Sequence, residues 1–264
     1  MNRPAPNWDD LRPRLITGAA LIVAGIVVIW MGGPVFALTA AIVTGIMVWE
    51  LARMIAADKL TQAVQLAVLT ALAVLLARAV QGNLALIFLI IPAIAGVFLL
   101  KAHPTIFGVT ALGIVIAGYG LTVFRDVYGV VWLFWLVVVV AGTDIAGYFG
   151  GRMIGGAKFW PSISPKKTWA GILAGWVAAA VIGLIFLTIT DAGRDLVWIS
   201  VLLSFASQMG DISQSWVKRR MGVKDSSALL PGHGGLWDRF DALLGASLFM
   251  LLTALIVDVP DLNF

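Results

Sequence analysis

The chain has 264 residues, of which 61% are hydrophobic and 12% charged, and its formal net charge is +4 at pH 7. Ordinary soluble domains contain about 45–50% hydrophobic and about 25% charged residues, so this composition excludes a soluble globular protein. Cysteine is absent, which excludes disulfide bonds, thiolate metal sites and cysteine nucleophiles. In so apolar a chain the modest positive charge indicates that basic residues set the orientation in a membrane and contact anionic lipids. It does not indicate nucleic-acid binding.

Nine apolar segments follow one another along the chain, and each approaches the length of about 20 residues that a helix needs to cross a bilayer. Backbone polar groups in hydrocarbon must be satisfied within the segment, so each segment is predicted to be a helix. The first is interpreted as a retained span rather than a signal peptide, because no small-residue cleavage site follows it. The segments are 15–31, 35–51, 63–79, 84–100, 106–124, 127–147, 170–190, 196–212 and 242–257.

The distribution of lysine and arginine predicts that the N-terminus and both long polar loops, 148–169 and 213–241, are cytoplasmic. In that orientation fifteen of the 18 basic residues lie inside. The three outside are Arg78, Arg125 and Arg194. The sequence therefore predicts an all-α, polytopic integral membrane protein with a single transmembrane domain over residues 1–264. Its chemistry would take place at the cytoplasmic surface of the membrane.

Two aspartates lie where predicted spans approach the cytoplasm, and ionisable residues in spans mark functional sites by default. They are Asp144 in the sixth span and Asp211 in the eighth. If the eighth helix continues, one of its faces carries Asp211, Ser215, Lys218 and Arg219. Structural alternatives remain open, namely a helix end in water for Asp144 and a basic cap with an intrahelical ion pair for the eighth helix.

A second pair of aspartates, Asp238 and Asp241, is spaced i, i+3 at the start of the ninth span. The helix dipole favours carboxylates in a first turn, which is a structural alternative. The pair directly follows the glycine-rich stretch 232–235, which includes His233. Glycines allow a close approach of the backbone, and their N–H groups form anion-binding nests. This combination favours a ligand site.

The other polar loop contains Ser164, Lys166, Lys167 and Thr168 around a proline. Two lysines and two hydroxyls at a lipid surface favour phosphate or headgroup binding, with a purely topogenic role as the alternative. A Ser-Pro-Lys-Lys run also suggests a DNA-binding arm, but its position between two spans argues against a nucleic-acid partner. Oxygen ligands without cysteine or clustered histidine favour a hard cation such as Mg²⁺. Together these residues indicate phosphoryl or nucleotidyl transfer.

Residues 215–241, SWVKRRMGVKDSSALLPGHGGLWDRFD, resemble the signature of the phosphatidate cytidylyltransferases, or CDP-diacylglycerol synthases. That pattern runs S-x-x-K-R, four residues, K-D, then a serine-rich stretch to L-P-x-H-G-G-x-x-D-R-x-D. Its fixed positions are filled by Ser215, Lys218, Arg219, Lys224, Asp225, Pro231, His233, Gly234, Gly235, Asp238, Arg239 and Asp241. Upstream matches are Gly210, Asp211, Asp144, Tyr148, Gly151, Arg152 and the SPKKT of 164–168. The resemblance covers about 142–241, and Ala170 departs from it, since members often carry glutamate there.

The resemblance implies that CTP and phosphatidate react to give CDP-diacylglycerol and pyrophosphate, a step of phospholipid biosynthesis in the bacterial cytoplasmic (inner) membrane. It implies Mg²⁺ and a second cation, either K⁺ or another divalent ion, at Asp211 and Asp238, with Asp241 and Asp144 as further candidate ligands. The catalytic candidates are Asp211, Asp238, Lys218, Arg219, His233 and Arg239. The substrate-binding candidates are Ser164, Lys166, Lys167, Thr168, Ser215, Lys224, Asp225, Gly234 and Gly235.

Two other classes of protein remain open at this point. A CTP-dependent lipid kinase would use similar acids and lysines but transfer the γ-phosphoryl group. A transporter would place polar groups near mid-membrane and interrupt paired helices there, whereas these charges cluster at one surface. Membrane lipids are further expected partners, and pairing of two chains in a homodimer is left open.

Overall fold

The computed structural model describes residues 11–80, 84–230, 232–254 and 256. The regular secondary structure of this part of the chain is helical apart from one short two-stranded sheet, which confirms the predicted all-α class. The helices are α1 (Leu11–Met31), α2 (Gly33–Ile55), α3 (Leu60–Val80), α4 (Leu84–Leu100), α5 (Pro104–Met153), α6 (Trp169–Ile189), α7 (Leu196–Arg220) and α8 (Trp237–Ala254). The strands are β1 (Lys158–Trp160) and β2 (Ser164–Thr168). Pro231 of the signature and the end of the predicted ninth span lie outside the described residues.

Five helices in the described ranges are long and apolar enough to cross a membrane, namely α2, α3, α5, α6 and α7. Two shorter apolar helices accompany them, the Thr17–Met31 part of α1 and the whole of α4. Many apolar side chains on these helices point outward, as lipid contact requires. The architecture is that of a helical membrane protein.

The longest helix, α5, is divided at Gly129, whose φ of 85° and ψ of −175° are not helical. Glycine adopts a positive φ at little cost because it has no Cβ. At about 1.5 Å per residue, each part of α5 is long enough to cross a hydrocarbon core of about 30 Å. α5 therefore covers two of the predicted apolar segments, 106–124 and 127–147.

Two clusters of buried apolar side chains hold the helices together, and α5 and α8 contribute to both. The first contains Leu51 of α2 and Phe107 of α5. The second contains Trp135 in the other half of α5. α8 places Leu244 in the first cluster and Ala246 in the second. α8 follows the loop 226–237 of the signature, called the signature loop below. Its side chains in both clusters fix α8 between them.

Buried hydrogen bonds join the second half of α5 to α7. The indole Nε1 of Trp135 donates to Ser200 Oγ at 3.1 Å, and Thr143 Oγ1 donates to Ser204 Oγ at 2.8 Å. Interhelical hydrogen bonds of this kind contribute about 0.6–2 kcal/mol each in membrane proteins. They hold the first half of α7 against α5.

The two polar loops are shorter than predicted, because helical hydrogen bonding continues beyond the apolar segments. α5 continues to Met153, where the N–H of Ile154 still donates to Gly150 O, and α7 continues to Arg220. The first loop also contains an antiparallel hairpin that the sequence analysis did not predict, in which Lys158 faces Thr168. These corrections place several predicted loop residues on rigid elements.

Candidate active site

A cavity of about 660 Å³ lies where the end of α5, strand β2, the start of α6, helix α7 and helix α8 meet. Its charged lining comprises five acidic and five basic side chains. These are Asp144, Asp211, Asp225, Asp238, Asp241, Arg152, Lys166, Lys167, Lys218 and Arg239. So balanced a lining suits a ligand that brings both polyanionic phosphates and a bound cation.

Asp211 forms an ion pair with Lys167 in the lining of the cavity. The Lys167 ammonium lies 2.6 Å from Asp211 Oδ2, and both side chains are partly exposed, 22% and 31% respectively. Lys167 lies on strand β2 and also donates to Gln208 O at 3.4 Å. Asp211 Oδ1 accepts from Ser215 Oγ at 3.4 Å. The hairpin and α7 thus present a cation and a carboxylate at one place, with room for ligand beside them.

Asp238 has much more complete protein contacts. Its Oδ1 accepts from Lys218 Nζ at 2.6 Å and from Gln214 Nε2 at 3.1 Å. Its Oδ2 accepts from the backbone N–H of Ser226 at 2.8 Å and that of Gly235 at 2.9 Å, and lies 3.0 Å from Ser226 Oγ. The side chain is only 6% exposed. Asp238 therefore joins α7 to both ends of the signature loop.

The ionisation of Asp238 follows from these contacts. The residue precedes the apolar segment 242–257 and lies in the first turn of α8. Burial alone would raise its pKa, but the Lys218 ammonium and the N–H groups of Gly235 and Ser226 outweigh burial and hold the pKa below the usual 3.8. Asp238 is accordingly a carboxylate at neutral pH.

Asp241, one turn further along α8, has the opposite environment. Burial and the nearby charge of Asp211 raise its pKa well above the usual value, although the N–H of Ala242 and the charge of Lys218 act in the other direction. The backbone N–H of Ala242 donates to its Oδ1 at 2.8 Å. Like charges that approach one another disfavour ionisation unless a cation joins them. The carboxylates on this side of the cavity are thus arranged for a positively charged ligand.

The donor set fits a hard divalent cation that shares its coordination with a substrate. Within the described ranges no group of three or more acidic or histidine side chains is arranged to hold a metal ion by itself. Mg²⁺ is usually bound by one or two carboxylates plus substrate phosphates, so a complete protein cage is not required. Asp211 and Asp238 would hold such an ion, with Asp241 and Asp144 nearby as further oxygen donors.

Most of the predicted site residues line this cavity, but seven do not. Thr168 lines it and also caps α6, since its hydroxyl accepts from the N–H of Gly171 at 3.2 Å. Arg219 is exposed on α7 and donates to Val223 O at 3.1 Å, so the structure does not place its guanidinium in the cavity. The other predicted residues outside the lining are Ser164, Ser215, Lys224, His233, Gly234 and Gly235.

The side chain of His233 lies beside α1 and does not line the cavity. Its Nε2 would lie 3.6 Å from a Cβ placed on Gly18 of α1, and its Nδ1 is buried with no hydrogen-bond partner among the described residues. Its backbone carbonyl accepts from the Arg239 guanidinium at 2.6 and 3.1 Å. The loop around His233 therefore orients Arg239, which does line the cavity.

Three polar residues in the cavity or next to it were not singled out from the sequence. Gln208 lines the cavity and donates to Ile172 O at 3.2 Å, and Gln214 contacts Asp238. Glu50, on the distant helix α2, contacts the signature loop. Polar residues in an apolar helix are the signal that identifies all three, because each must have a partner in the folded protein.

The fold and the cavity define a helical membrane protein with a charged cavity lined by aspartate, lysine and arginine side chains. The chain belongs to the Cytidylyltransferase family, whose model matches residues 12–257. A phosphatidate cytidylyltransferase of Brucella suis biovar 1 is 42% identical over 161 residues, which are 58% of this chain and 60% of that protein. One of Bacillus subtilis is 42% identical over 122 residues, 45% of each chain. One of Helicobacter pylori is 39% identical over 128 residues, 48% of this chain and 47% of that protein.

The aligned regions thus span about 60% or less of the length of these curated relatives. The family model extends further and takes in α1 to α8 almost entirely. Membership of the family rests on that longer match.

Proposed function

We propose that this chain is a phosphatidate cytidylyltransferase, which converts CTP and phosphatidate to CDP-diacylglycerol and pyrophosphate. The observation that carries the proposal is the convergence of Asp211, Lys167, Lys218 and Asp238 in one cavity of a cytidylyltransferase-family chain. The names of its relatives support the choice of substrates.

In the proposed reaction a phosphate oxygen of phosphatidate attacks the α-phosphorus of CTP. The new P–O bond forms as the bond between the α-phosphorus and its bridging oxygen to the β-phosphate breaks, and pyrophosphate leaves with that electron pair. A phosphate monoester has a second pKa of about 6, so the attacking group is largely ionised near pH 7. The site therefore needs no general base, which agrees with the position of His233 outside the cavity.

The basic side chains would bind and orient the two phosphorylated substrates. Lys166 is exposed on the hairpin and Arg152 ends α5, so both reach the open side of the cavity. Lys218 and Arg239 line the wall formed by α7 and the start of α8. Preorganised positive charge of this kind stabilises the developing charge of phosphoryl and nucleotidyl transfer.

Asp211 and Asp238 would hold Mg²⁺, with Asp241 and Asp144 as additional candidates and a second cation, K⁺ or another divalent ion, in the same region. When bound, Mg²⁺ would neutralise phosphate charge and polarise the α-phosphate. Asp211 pairs with Lys167 and Asp238 pairs with Lys218, each at 2.6 Å, so the two lysines hold these carboxylates in place. Asp211, with one ion pair and partial exposure, has the more accessible oxygens.

We also propose that the chain crosses the membrane nine times as a single domain, with the N-terminus and the cavity on the cytoplasmic side of a bacterial inner membrane. The break at Gly129 supports two crossings within α5. Contacts between residues predicted to lie outside also support this orientation. Arg78 pairs with Asp126 at 2.6 Å. Arg125, the neighbour of Asp126, donates to Ile29 O at 2.9 Å. The bacterial origin of the relatives supports the choice of membrane.

Pyrophosphate release by the purified protein in liposomes tests this proposal. The assay contains Mg²⁺ and CTP, with phosphatidate or diacylglycerol as the acceptor. We expect release with phosphatidate and none with diacylglycerol, which lacks the attacking phosphate. Release that does not depend on phosphatidate would contradict the proposed acceptor.

A further inference from the structure

Glu50 is the single glutamate of the chain, and it lies near the end of the apolar helix α2. Its side chain is 0% exposed. A buried carboxylate without partners is costly, so its position requires a specific set of donors. Glu50 does not line the cavity described above.

The donors come from the signature loop, more than 170 residues further along the chain. Oε1 accepts from Ser227 Oγ at 2.6 Å and from the backbone N–H of Leu236 at 2.8 Å. Oε2 accepts from the backbone N–H of Trp237 at 2.7 Å and lies 3.1 Å from Ser226 Oγ. Both ends of the loop 226–237 therefore bind the same carboxylate.

No cationic side chain in the described part of the chain forms an ion pair with Glu50. The three ion pairs among the described residues join Arg78 to Asp126, Lys167 to Asp211 and Lys218 to Asp238, and none includes Glu50. Two of its donors are instead the N–H groups at the start of α8, where the helix dipole favours negative charge. Glu50 acts on α8 as a capping carboxylate supplied by another helix.

Ser226 also connects Glu50 to Asp238, which lines the cavity. Ser226 Oγ lies between Glu50 Oε2 and Asp238 Oδ2, within hydrogen-bond distance of both. A Cβ on Gly235 would lie 2.0 Å from Ser226 Oγ and 2.5 Å from Glu50 Oε1. This explains why the signature has glycine at position 235, because any side chain there would occupy the place of the Glu50 carboxylate.

We propose that Glu50 is a positioning residue for the transfer reaction, which holds the loop 226–237 so that Asp238 and Arg239 face the cavity. The inference rests on the proposed function for its effect on turnover. Its effect on the loop follows from the hydrogen bonds alone. The partner of Glu50 is therefore the protein's own signature loop, and its influence on the substrates is indirect.

The isosteric variant Glu50→Gln tests the proposal with little change in volume. The serine hydroxyls can turn to accept from an amide NH₂, but the N–H groups of Leu236 and Trp237 can only donate. Whichever way the amide lies, one backbone N–H faces an NH₂ group and is left unsatisfied. The expected damage is thus confined to the junction between the loop and α8.

Hydrogen–deuterium exchange of the purified protein in detergent reports on that junction, and kinetics report on its consequence. In Glu50→Gln we expect amide exchange in 226–237 to be at least about tenfold faster, with α3 and α4 unchanged. We expect kcat to fall at least about tenfold and KM for CTP to change less than about threefold, because Arg152, Lys166 and Lys167 lie outside the loop 226–237 that Glu50 holds.

Ser200→Ala is the matched control. It leaves the buried indole N–H of Trp135 without its acceptor, about 16 Å before Asp211 along α7 at about 1.5 Å per residue. The control should lower the melting temperature while the loop exchange and kcat remain as in the wild type. Wild-type exchange and kcat in Glu50→Gln would overturn the proposal, and so would a lower melting temperature with unchanged kcat, which indicates a merely structural role.

The two proposals fail in different ways. If the wild-type protein transfers no CMP to phosphatidate, the proposed function is wrong, and the exchange measurement still decides whether Glu50 holds the loop. If the wild type is active and Glu50→Gln is equally active with a protected loop, only the positioning role is wrong.

Discussion

Asp211 and Asp238 have the same predicted role but very different surroundings. Asp211 has a side chain 31% exposed and a single ion pair with Lys167, whereas Asp238 is 6% exposed and lies within reach of five donors. An additional ligand is accommodated more easily at Asp211, because its oxygens have fewer protein donors. Asp238 also organises the signature loop, so loss of its side chain would affect stability as well as the proposed cation binding.

Asp211→Asn should lower kcat at least about 100-fold, because the amide removes one negative charge from the site that we propose to bind Mg²⁺. Release of pyrophosphate at saturating CTP measures the effect. Asp126→Asn is the control, since it also removes an exposed carboxylate from an ion pair but lies away from the cavity. That variant should keep activity within about twofold of the wild type. Comparable turnover of Asp211→Asn and Asp126→Asn would remove Asp211 from the reaction.

Lys218→Met should destabilise the protein by about 3–5 kcal/mol, because it leaves Asp238 buried without its cation. The pH dependence has a definite sign. Asp238 has a lowered pKa in the wild type, so its stabilising contribution is present above pH 3.8 and is lost as the pH falls towards the lower folded-state value. Without Lys218 the pKa rises, and protonation relieves the unpaired charge.

The difference in melting temperature between wild type and Lys218→Met should therefore be largest near pH 7 and shrink towards pH 4. Thermal unfolding in detergent across this range measures it. A difference that stays constant with pH would show that the Lys218–Asp238 charge interaction does not stabilise the fold.

At the level of single residues, the sequence was informative where charge stood out from an apolar background. Asp144, Asp211 and Lys167 were predicted and do line one cavity. Arg219 was predicted from its helical spacing, but its side chain is exposed and donates to Val223 O, so its role at the site stays a prediction. Glu50 carried the same signal as the aspartates, yet its partner lies more than 170 residues away and no local pattern identifies it.

Among the elements, the crossing of α7 and α8 determines the distance between Asp211 and Asp241. A Cβ on Gly245 would lie 2.4 Å from Ala206 O and 2.8 Å from Gly210 Cα, so the two backbones are in contact. Small residues at such crossings let membrane helices approach closely. The site depends on this contact because both helices carry its carboxylates.

Gly245→Ala should separate α7 from α8, lower stability by about 1–3 kcal/mol and reduce transfer activity. Gly113→Ala is the control, because a Cβ at that α5 position meets nothing within 4 Å. The control should be neutral or stabilised by up to about 1 kcal/mol through helix propensity. Equal melting temperatures and activities for the two variants would show that the α7–α8 contact is not required.

The helices were predictable because hydrophobic length is a strong signal in a membrane protein, and their ends were less so. Polar residues such as Ser215 and Lys218 continue α7 beyond the apolar segment, because the backbone hydrogen bonds of a helix do not require apolar side chains. The hairpin around Pro165 was not predicted, because proline argues against a strand interior and β2 pairs on one side only. Gly129 is the one residue of α5 with a non-helical conformation. A single glycine in the sequence is a weak signal for such a break.

For the whole molecule, the proposed orientation predicts which surfaces a membrane-impermeant thiol reagent reaches. The chain has no cysteine, so a single introduced cysteine is labelled uniquely. In intact spheroplasts we expect Arg194→Cys to be labelled and Ser162→Cys, in the hairpin turn, to be labelled only after permeabilisation. The opposite pattern would invert the orientation, and labelling of both positions from outside would contradict the number of crossings between them.

The central claim is that the cavity transfers CMP to phosphatidate, and the position of label in CTP tests it most directly. The purified protein is reconstituted with phosphatidate and Mg²⁺, and CTP carries ³²P at either the α- or the γ-phosphate in separate reactions. We predict that the lipid fraction is labelled only from the α-phosphate, and that Asp211→Asn removes most of this label. Lipid labelled only from the γ-phosphate would instead identify a kinase and contradict the proposed reaction.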